Sequence, residues 1–396
     1  MKIGIFYELQ LPRPWHPDSE LKLFQNSLEQ VELADRLGFD YVWAVEHHFL
    51  EEYAHSSAPE VFLAACSQRT RTIRLGHGVV LMPPGYNHPA RVAERIATLD
   101  LVSNGRVEFG SGESSSEAEL GGFGVARGDK RAMWQEALEA SCRMMAEEPF
   151  RGHAGAHFRM PMRNVVPKPV QKPHPPVWVA CSRRETITLA ARLGLGALSF
   201  TFMSPDEARQ WSADYYTTLE AEAAPIAAAV NPNLAIVTGF MCDRDTARAR
   251  AAAEDGLRFF AYALGHYYLF GRHEPARTDI WSNYRANPLS LPILDGATSC
   301  VGDPEQVRNS LRAFEDAGID QVVLVSQAGN NRHEDICASL ELFAREVLPE
   351  FKDRDGERTR LKAERMAPII ERAMKRKPAP QLPDDGPTII QAGGLP

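Results

Sequence analysis

One unit recurs along most of this chain: a short apolar run of strand length, then a stretch whose apolar residues return at helical spacing. Residues 2–7 open the series. The next stretch, 21–37, carries Leu21, Phe24, Leu28, Val31, Leu33 and Leu37 on one helical face and stops at Gly38. Strand-like runs follow at 41–45, 73–81, 106–110, 177–180, 197–200, 234–242 and 321–326, with helical patterns at 59–69, 90–101, 183–193, 204–220, 245–264, 303–317 and 334–348. Asp129 is expected to cap a further helix reaching about residue 146. Eight strands separated by helices predict an α/β fold, a (β/α)8 TIM barrel, rather than an open sheet. Residues 1–350 are read as one barrel domain with insertions near 150–176 and 265–300. The first insertion is proline-rich and expected to form a hairpin or irregular excursion. The second is rich in aromatics and too long for an ordinary connection, hence a lid or an oligomer contact. The charged, then proline-rich extension 351–396 is read as an appendage rather than core.

Barrels of this kind keep their chemistry at the carboxyl ends of the strands. Glu8 falls there after the first strand, Glu46-His47-His48 after the second, Gly78 to Met82 late in the third, and Gly110 to Ser116 after the fourth. Ala180-Cys181-Ser182-Arg183 follows the fifth strand and Phe200 the sixth. The histidine pair admits a packing role, with one imidazole satisfying a carbonyl under a loop. A shared metal is disfavoured, because neighbouring strand residues point to opposite faces and no His-x-His or His-Glu-x-x-His spacing is present. The loop Gly110-Ser111-Gly112-Glu113 offers glycines and hydroxyls suited to a phosphate, yet Glu113, Glu117 and Glu119 would repel a pyrophosphate, and a solvated turn is the plain alternative. Cys181-Ser182-Arg183 is better placed, since a strand running into a helix N-terminus presents free N–H groups, a hydroxyl and a guanidinium together. Ser182 also suits an ordinary helix cap. Arg131 lies in the first turn of a helix, where its charge opposes the helix dipole unless an anion is near.

Composition narrows the partners. With 396 residues, 44% hydrophobic and 24% charged, the chain can bury a large core, and its formal charge of -8 leaves no basic stripe for nucleic acid or anionic lipid. No run approaches the length of a membrane span and the start does not read as a signal peptide, so a soluble cytoplasmic protein is expected. The six cysteines lack any Cys-x-x-Cys spacing and read as reduced thiols.

Several motifs together resemble the bacterial luciferase-like flavin monooxygenases. They are Gly38-Phe39-Asp40-x-Val42-Trp43, Glu46-His47-His48-Phe49, Leu75-Gly76, Pro83, His88-Pro89, Ala93-Glu94, Leu99-Asp100, Ser103-x-Gly105-Arg106 and Phe109-Gly110. Late in the chain, Gly302-Asp303-Pro304-Glu305-Gln306-Val307 and Ala317-Gly318-Ile319-Asp320-Gln321 continue the resemblance, which spans roughly residues 1–350. It implies a luciferase-like barrel that binds reduced FMN (FMNH2), activates O2 as a C4a-(hydro)peroxyflavin and oxygenates a small organic substrate. It further implies a likeness in assembly, a homodimer. Carried over residue by residue, it makes His47 the catalytic histidine and puts the FMN phosphate on Arg131 and Ser182, with Ala180, Cys181, Arg183, Gly110 and Gly112 around the cofactor. A non-proline cis peptide beneath the flavin ring is implied at Gly78-Val79. Where the family has an arginine after the fourth strand this chain has Glu113, which shifts the phosphate's charge onto Arg131 and Arg183.

A neutral imidazole at position 47 would then shuttle protons near its ordinary pKa. No dinucleotide fingerprint is present, so reduced FMN would come from a separate NAD(P)H:flavin reductase. Three rivals stay open: an F420-dependent oxidoreductase on the same scaffold, a flavin-binding subunit without turnover, and a metal-dependent hydrolase barrel.

Overall fold

The first strand, β1 (Lys2–Tyr7), is buried along nearly all its length and lies between two parallel neighbours. Its helix α1 (Ser19–Leu37) ends at Gly38, whose φ of 89° is the left-handed value that a glycine adopts at least cost. Then come β2 (Tyr41–Ala44) and α2 (Pro59–Arg69), β3 (Arg74–His77), the two-residue β4 (Val80–Leu81) and α3 (Pro89–Val102). Strand β5 (Val107–Gly112) is followed by a short helix α4 (Glu117–Gly122), by α5 (Lys130–Ala146) and by the antiparallel hairpin β6 (His153–Ala154) and β7 (Arg159–Met160). The series continues through β8 (Val177–Cys181), α6 (Arg184–Arg192), β9 (Gly196–Ser199), α7 (Pro205–Glu222), β10 (Leu234–Cys242) and α8 (Thr246–Gly265). A π-helical turn, His266–Phe270, leads to α9 (Ile280–Ala286), β11 (Ser299–Gly302) and α10 (Pro304–Asp316), then β12 (Gln321–Gln327), α11 (His333–Glu346) and α12 (Leu348–Met374). The computed structural model describes residues 1–200, 202–288, 299–384 and 390. Parts of the second insertion (289–298) and of the C-terminal extension lie outside the described residues.

The expected (β/α)8 TIM barrel is present. Strands β1, β2, β3, β5, β8, β9, β10 and β12 pair in parallel, and β9 closes the ring on β10 through Ala197↔Leu234. The far end of β10 leaves the ring and pairs with β11, from Gly239↔Ser299 to Cys242↔Gly302. Trp43, fully buried, sets its edge on Trp178 at 5.5 Å, and a Cβ at Gly76 would lie 2.2 Å from the Trp43 ring. The barrel interior is therefore packed by aromatic side chains that demand glycine opposite them.

Several expectations are corrected. The third strand is broken: β3 stops at His77, and β4 resumes against β5 at Val80↔Ser111. The Gly78–Val79 peptide, expected to be cis, is trans; among the described residues the cis bonds all precede prolines. The chain shifts partners here through a gap in the ladder, held by Gly78 N–H on the Ala44 carbonyl (2.7 Å) and Glu46 N–H on the Val79 carbonyl (3.2 Å). Second, the strand expected to end at Gly110 runs on, so that Ser111 and Gly112, read as loop, belong to β5. A Cβ at Gly110 would stand 1.9 Å from the His77 carbonyl oxygen, and one at Gly112 2.5 Å from Val79 Cγ2, so strand packing accounts for both glycines. Third, Asp129 occupies the cap position of α5 without a side-chain hydrogen bond to the first turn. Fourth, residues 351–374 are no loose appendage. They continue α12, which buries Phe351, Met366, Ile369 and Ala373 and ties its charges to the barrel through Lys352–Asp40 (2.7 Å), Arg354–Glu315 (2.5 Å) and Lys362–Asp320 (2.5 Å).

Candidate active site

His47 leaves the end of β2 with its backbone N–H bonded to the Ser56 carbonyl (3.0 Å), which fixes the turn that carries it. Its imidazole stands between two carboxylates. Nδ1 is 2.9 Å from Glu119 Oε1 on α4, and Nε2 is 3.7 Å from Glu8 Oε2 at the end of β1. Glu119 is wholly buried and also accepts Ser114 Oγ–H (2.6 Å) and the His48 N–H (3.0 Å). Glu8 Oε1 accepts the Tyr53 hydroxyl at 2.9 Å. Burial works against charge on His47, but Glu119 and Glu8 outweigh it and raise its pKa to about 9. The two carboxylates thus favour the charged form of the ring, where the sequence led to a neutral imidazole. Burial likewise pushes Glu8 up to about 7 in spite of the adjacent imidazolium. Burial alone would raise Glu119 too; His47 and the other donors more than offset it and hold that carboxyl below its ordinary range.

The second histidine has a different office. His48 Nε2 lies 3.1 Å from Glu46 Oε1, and that carboxylate also receives Asn87 Nδ2–H (2.9 Å) and the Leu81 N–H (2.8 Å). Glu46 thus joins the histidine turn to the broken third strand, the partner that sequence alone left unread. Aromatic rings wall this region: Tyr53 lies 5.6 Å from His47 and 5.7 Å from Phe260, while Phe123 packs on both His48 and Tyr86 at 4.9 Å.

Farther round the same barrel face, β8 meets α6. The helix begins at Arg184, so the cap falls on Arg183, one residue beyond Ser182. Arg183 N–H reaches Thr186 Oγ1 at 3.2 Å, and the first-turn amides of α6 have no helical carbonyl ahead of them. Cys181 is fully buried, its Sγ 3.4 Å from the Val179 carbonyl, and burial pushes the thiol up to about 12. It is a wall residue. Arg131 comes close enough for its charge to act on Cys181, yet its Nη2 is bonded to Glu113 Oε1 at 2.8 Å. Lys130 donates to the Ser114 carbonyl and lies 3.5 Å from Glu113.

A family model described as luciferase-like monooxygenase matches residues 1–321. The chain belongs to the luciferase-like monooxygenase family. A Sinorhizobium fredii protein, y4vJ, is 33% identical over 186 residues, covering 47% of this chain, which spans about half the length of that relative (52%). Limonene 1,2-monooxygenase of Rhodococcus erythropolis is 29% identical across 88% of this chain and 87% of its own. Among solved structures, the monooxygenase RslO1 from Streptomyces bottropensis superposes with a TM-score of 0.74 at 27% identity, covering 89% of this chain and all of RslO1 (100%).

In this luciferase-like barrel the residues expected at the site fall into two neighbouring groups. His47 stands with Glu8, while Val79 packs against Gly110 and Gly112; Cys181, at the end of β8, lies within reach of the Arg131 charge. Glu119 was the residue missed from sequence: it was read only as one of three acids that would repel a pyrophosphate, whereas its carboxylate turns inward to His47.

Proposed function

We propose that this chain is a monooxygenase that uses reduced FMN and O2 to oxygenate a small, largely apolar organic molecule. It would draw its reduced flavin from a separate NAD(P)H:flavin reductase and work as a homodimer in the cytoplasm. The observation that carries the reading is the His47 imidazole held between Glu119 and Glu8 at the mouth of a luciferase-like barrel. All six cysteines are free thiols, and no helix among the described residues is long and apolar enough to cross a membrane.

The residues present fit FMN. A phosphate needs donors and positive charge, and Ser182, Arg183, the first-turn amides of α6 and Arg131 would supply them, with Glu113 sharing Arg131. The flavin ring needs a flat floor, and the Gly78–Val79 segment offers one: a Cβ at Gly78 would meet nothing nearer than 3.6 Å, with Phe6 and Trp43 beneath. When bound, reduced FMN would give two electrons to O2, so that one oxygen atom enters the substrate and the other leaves as water. His47 would hold a proton on Nε2 toward the reacting centre while Glu119 fixes Nδ1 and the orientation of the ring. Tyr53, Phe123 and Phe260 would keep bulk water away.

Equilibrium binding of FMN and of F420, each in reduced form, with an oxygen electrode on the same samples, tests the reading. Binding of reduced FMN with O2 uptake is expected. Uptake of reduced F420 without FMN binding would replace it with hydride transfer on the same scaffold. Full turnover in His47→Ala would remove the role assigned to that histidine.

A further inference from the structure

The geometry points to Glu8 as a second proton-carrying residue of this site, which passes a proton from its Oε2 to an oxygen atom at the reacting centre and is reloaded from His47. This deepens the proposed function and rests on His47 being the working residue there.

Glu8 sits at the end of β1 with its side chain 4% exposed. Its two oxygens are treated differently. Oε1 is satisfied by the Tyr53 hydroxyl, whereas Oε2 is buried and has no hydrogen-bond partner, standing 3.7 Å from His47 Nε2. A charged carboxylate at this depth with one oxygen unsatisfied is unfavourable; a proton on Oε2 removes the charge and turns the orphaned atom into a donor. The groups that face Glu8 are His47 and Tyr53 from the segment after β2, Glu119 from α4, and Tyr268 from the π-helical turn. Two carboxylates thus flank one imidazolium. Glu119 is engaged by Nδ1 at hydrogen-bond length, so it carries the negative charge that balances His47, and the carboxylate left over is the one that retains a proton. The rise of Glu8 to about 7 agrees with this partition.

In the transfer the Glu8 Oε2–H bond breaks as an O–H bond forms on the reacting oxygen. The Nε2–H bond of His47 then breaks as Glu8 Oε2–H is restored, and the imidazole regains its proton from solvent. No electrons pass between protein groups.

Infrared titration of the full chain, without added flavin, reads the C=O stretch of a protonated carboxylic acid. A band that titrates near pH 7, vanishes in Glu8→Gln and persists to higher pH in Tyr53→Phe is expected, because the Tyr53 hydroxyl favours the ionised form. No such band above about pH 5, or one untouched by Glu8→Gln, would overturn the assignment. With reduced FMN, Glu8→Gln should lose about 100-fold in kcat at unchanged flavin Kd, and Glu8→Asp should recover part of it; a kcat for Glu8→Gln within about twofold of wild type would also overturn it. Should the wild-type chain prove not to use FMN, the infrared result alone decides the assignment and the functional reading fails separately.

Discussion

At the scale of single residues the site turns on charge balance around one imidazole. His47 has a pKa of about 9 in the folded chain against an ordinary 6.5. Its ionic contribution to stability is therefore complete below about pH 6.5 and fades as the pH rises through about 9. Glu119→Gln removes the partner at 2.9 Å, so the pH at which the His47 imidazole loses its proton, read by NMR titration of the ring, should fall from about 9 toward the ordinary 6.5. The stability gap between this variant and wild type should be widest between about pH 5 and pH 6.5 and shrink as the pH rises through about 9, which denaturant titrations at several pH values would read. His47→Ala should cost roughly 100- to 1000-fold in kcat while flavin Kd changes by less than about threefold. The histidine's candidacy was legible in the sequence from its place after a strand. Its protonation state was not, because the carboxylates that set it lie 39 and 72 positions away in the chain and no local pattern links them.

At the scale of elements, hydrophobic period located the barrel strands to within a residue or two at most ends, since each is an apolar run between turn residues. The break between β3 and β4 was hidden, because an unbroken apolar stretch from Ile73 to Leu81 reads as one strand. The same break separates two glycines that look alike in sequence. Gly110→Ala would drive a Cβ into the His77 carbonyl, and a drop in Tm of about 10 °C or more, or loss of soluble protein, is expected. Gly78→Ala has room, so its Tm should stay within about 2 °C of wild type while the Kd for FMN rises about tenfold or more, as calorimetry and fluorescence titration would show. Unchanged flavin affinity in Gly78→Ala would remove that segment from beneath the ring.

At the scale of the whole molecule, the repeating unit predicted the closed barrel, and the C-terminal helix is where sequence reading fell short. Gly356 and Pro368 look like breakers, and the dense charges look like a solvated tail. In the structure those charges face Asp40, Glu315 and Asp320 on the barrel, and the narrow apolar face of Phe351, Met366, Ile369 and Ala373 is enough to dock the helix. A chain ending after Val347 should accordingly lose about 3 kcal/mol or more of stability in denaturant unfolding, while a dispensable tail would leave the midpoint unchanged. The central claim concerns the barrel as a flavin oxygenase, and anaerobic mixing of the chain with reduced FMN, followed by exposure to O2 in a stopped-flow spectrometer, tests it most directly. The account predicts stoichiometric uptake of reduced FMN, then reoxidation through a spectrum distinct from those of free oxidised and free reduced FMN. Failure to take up reduced FMN, with reduced F420 bound in its place, would contradict it.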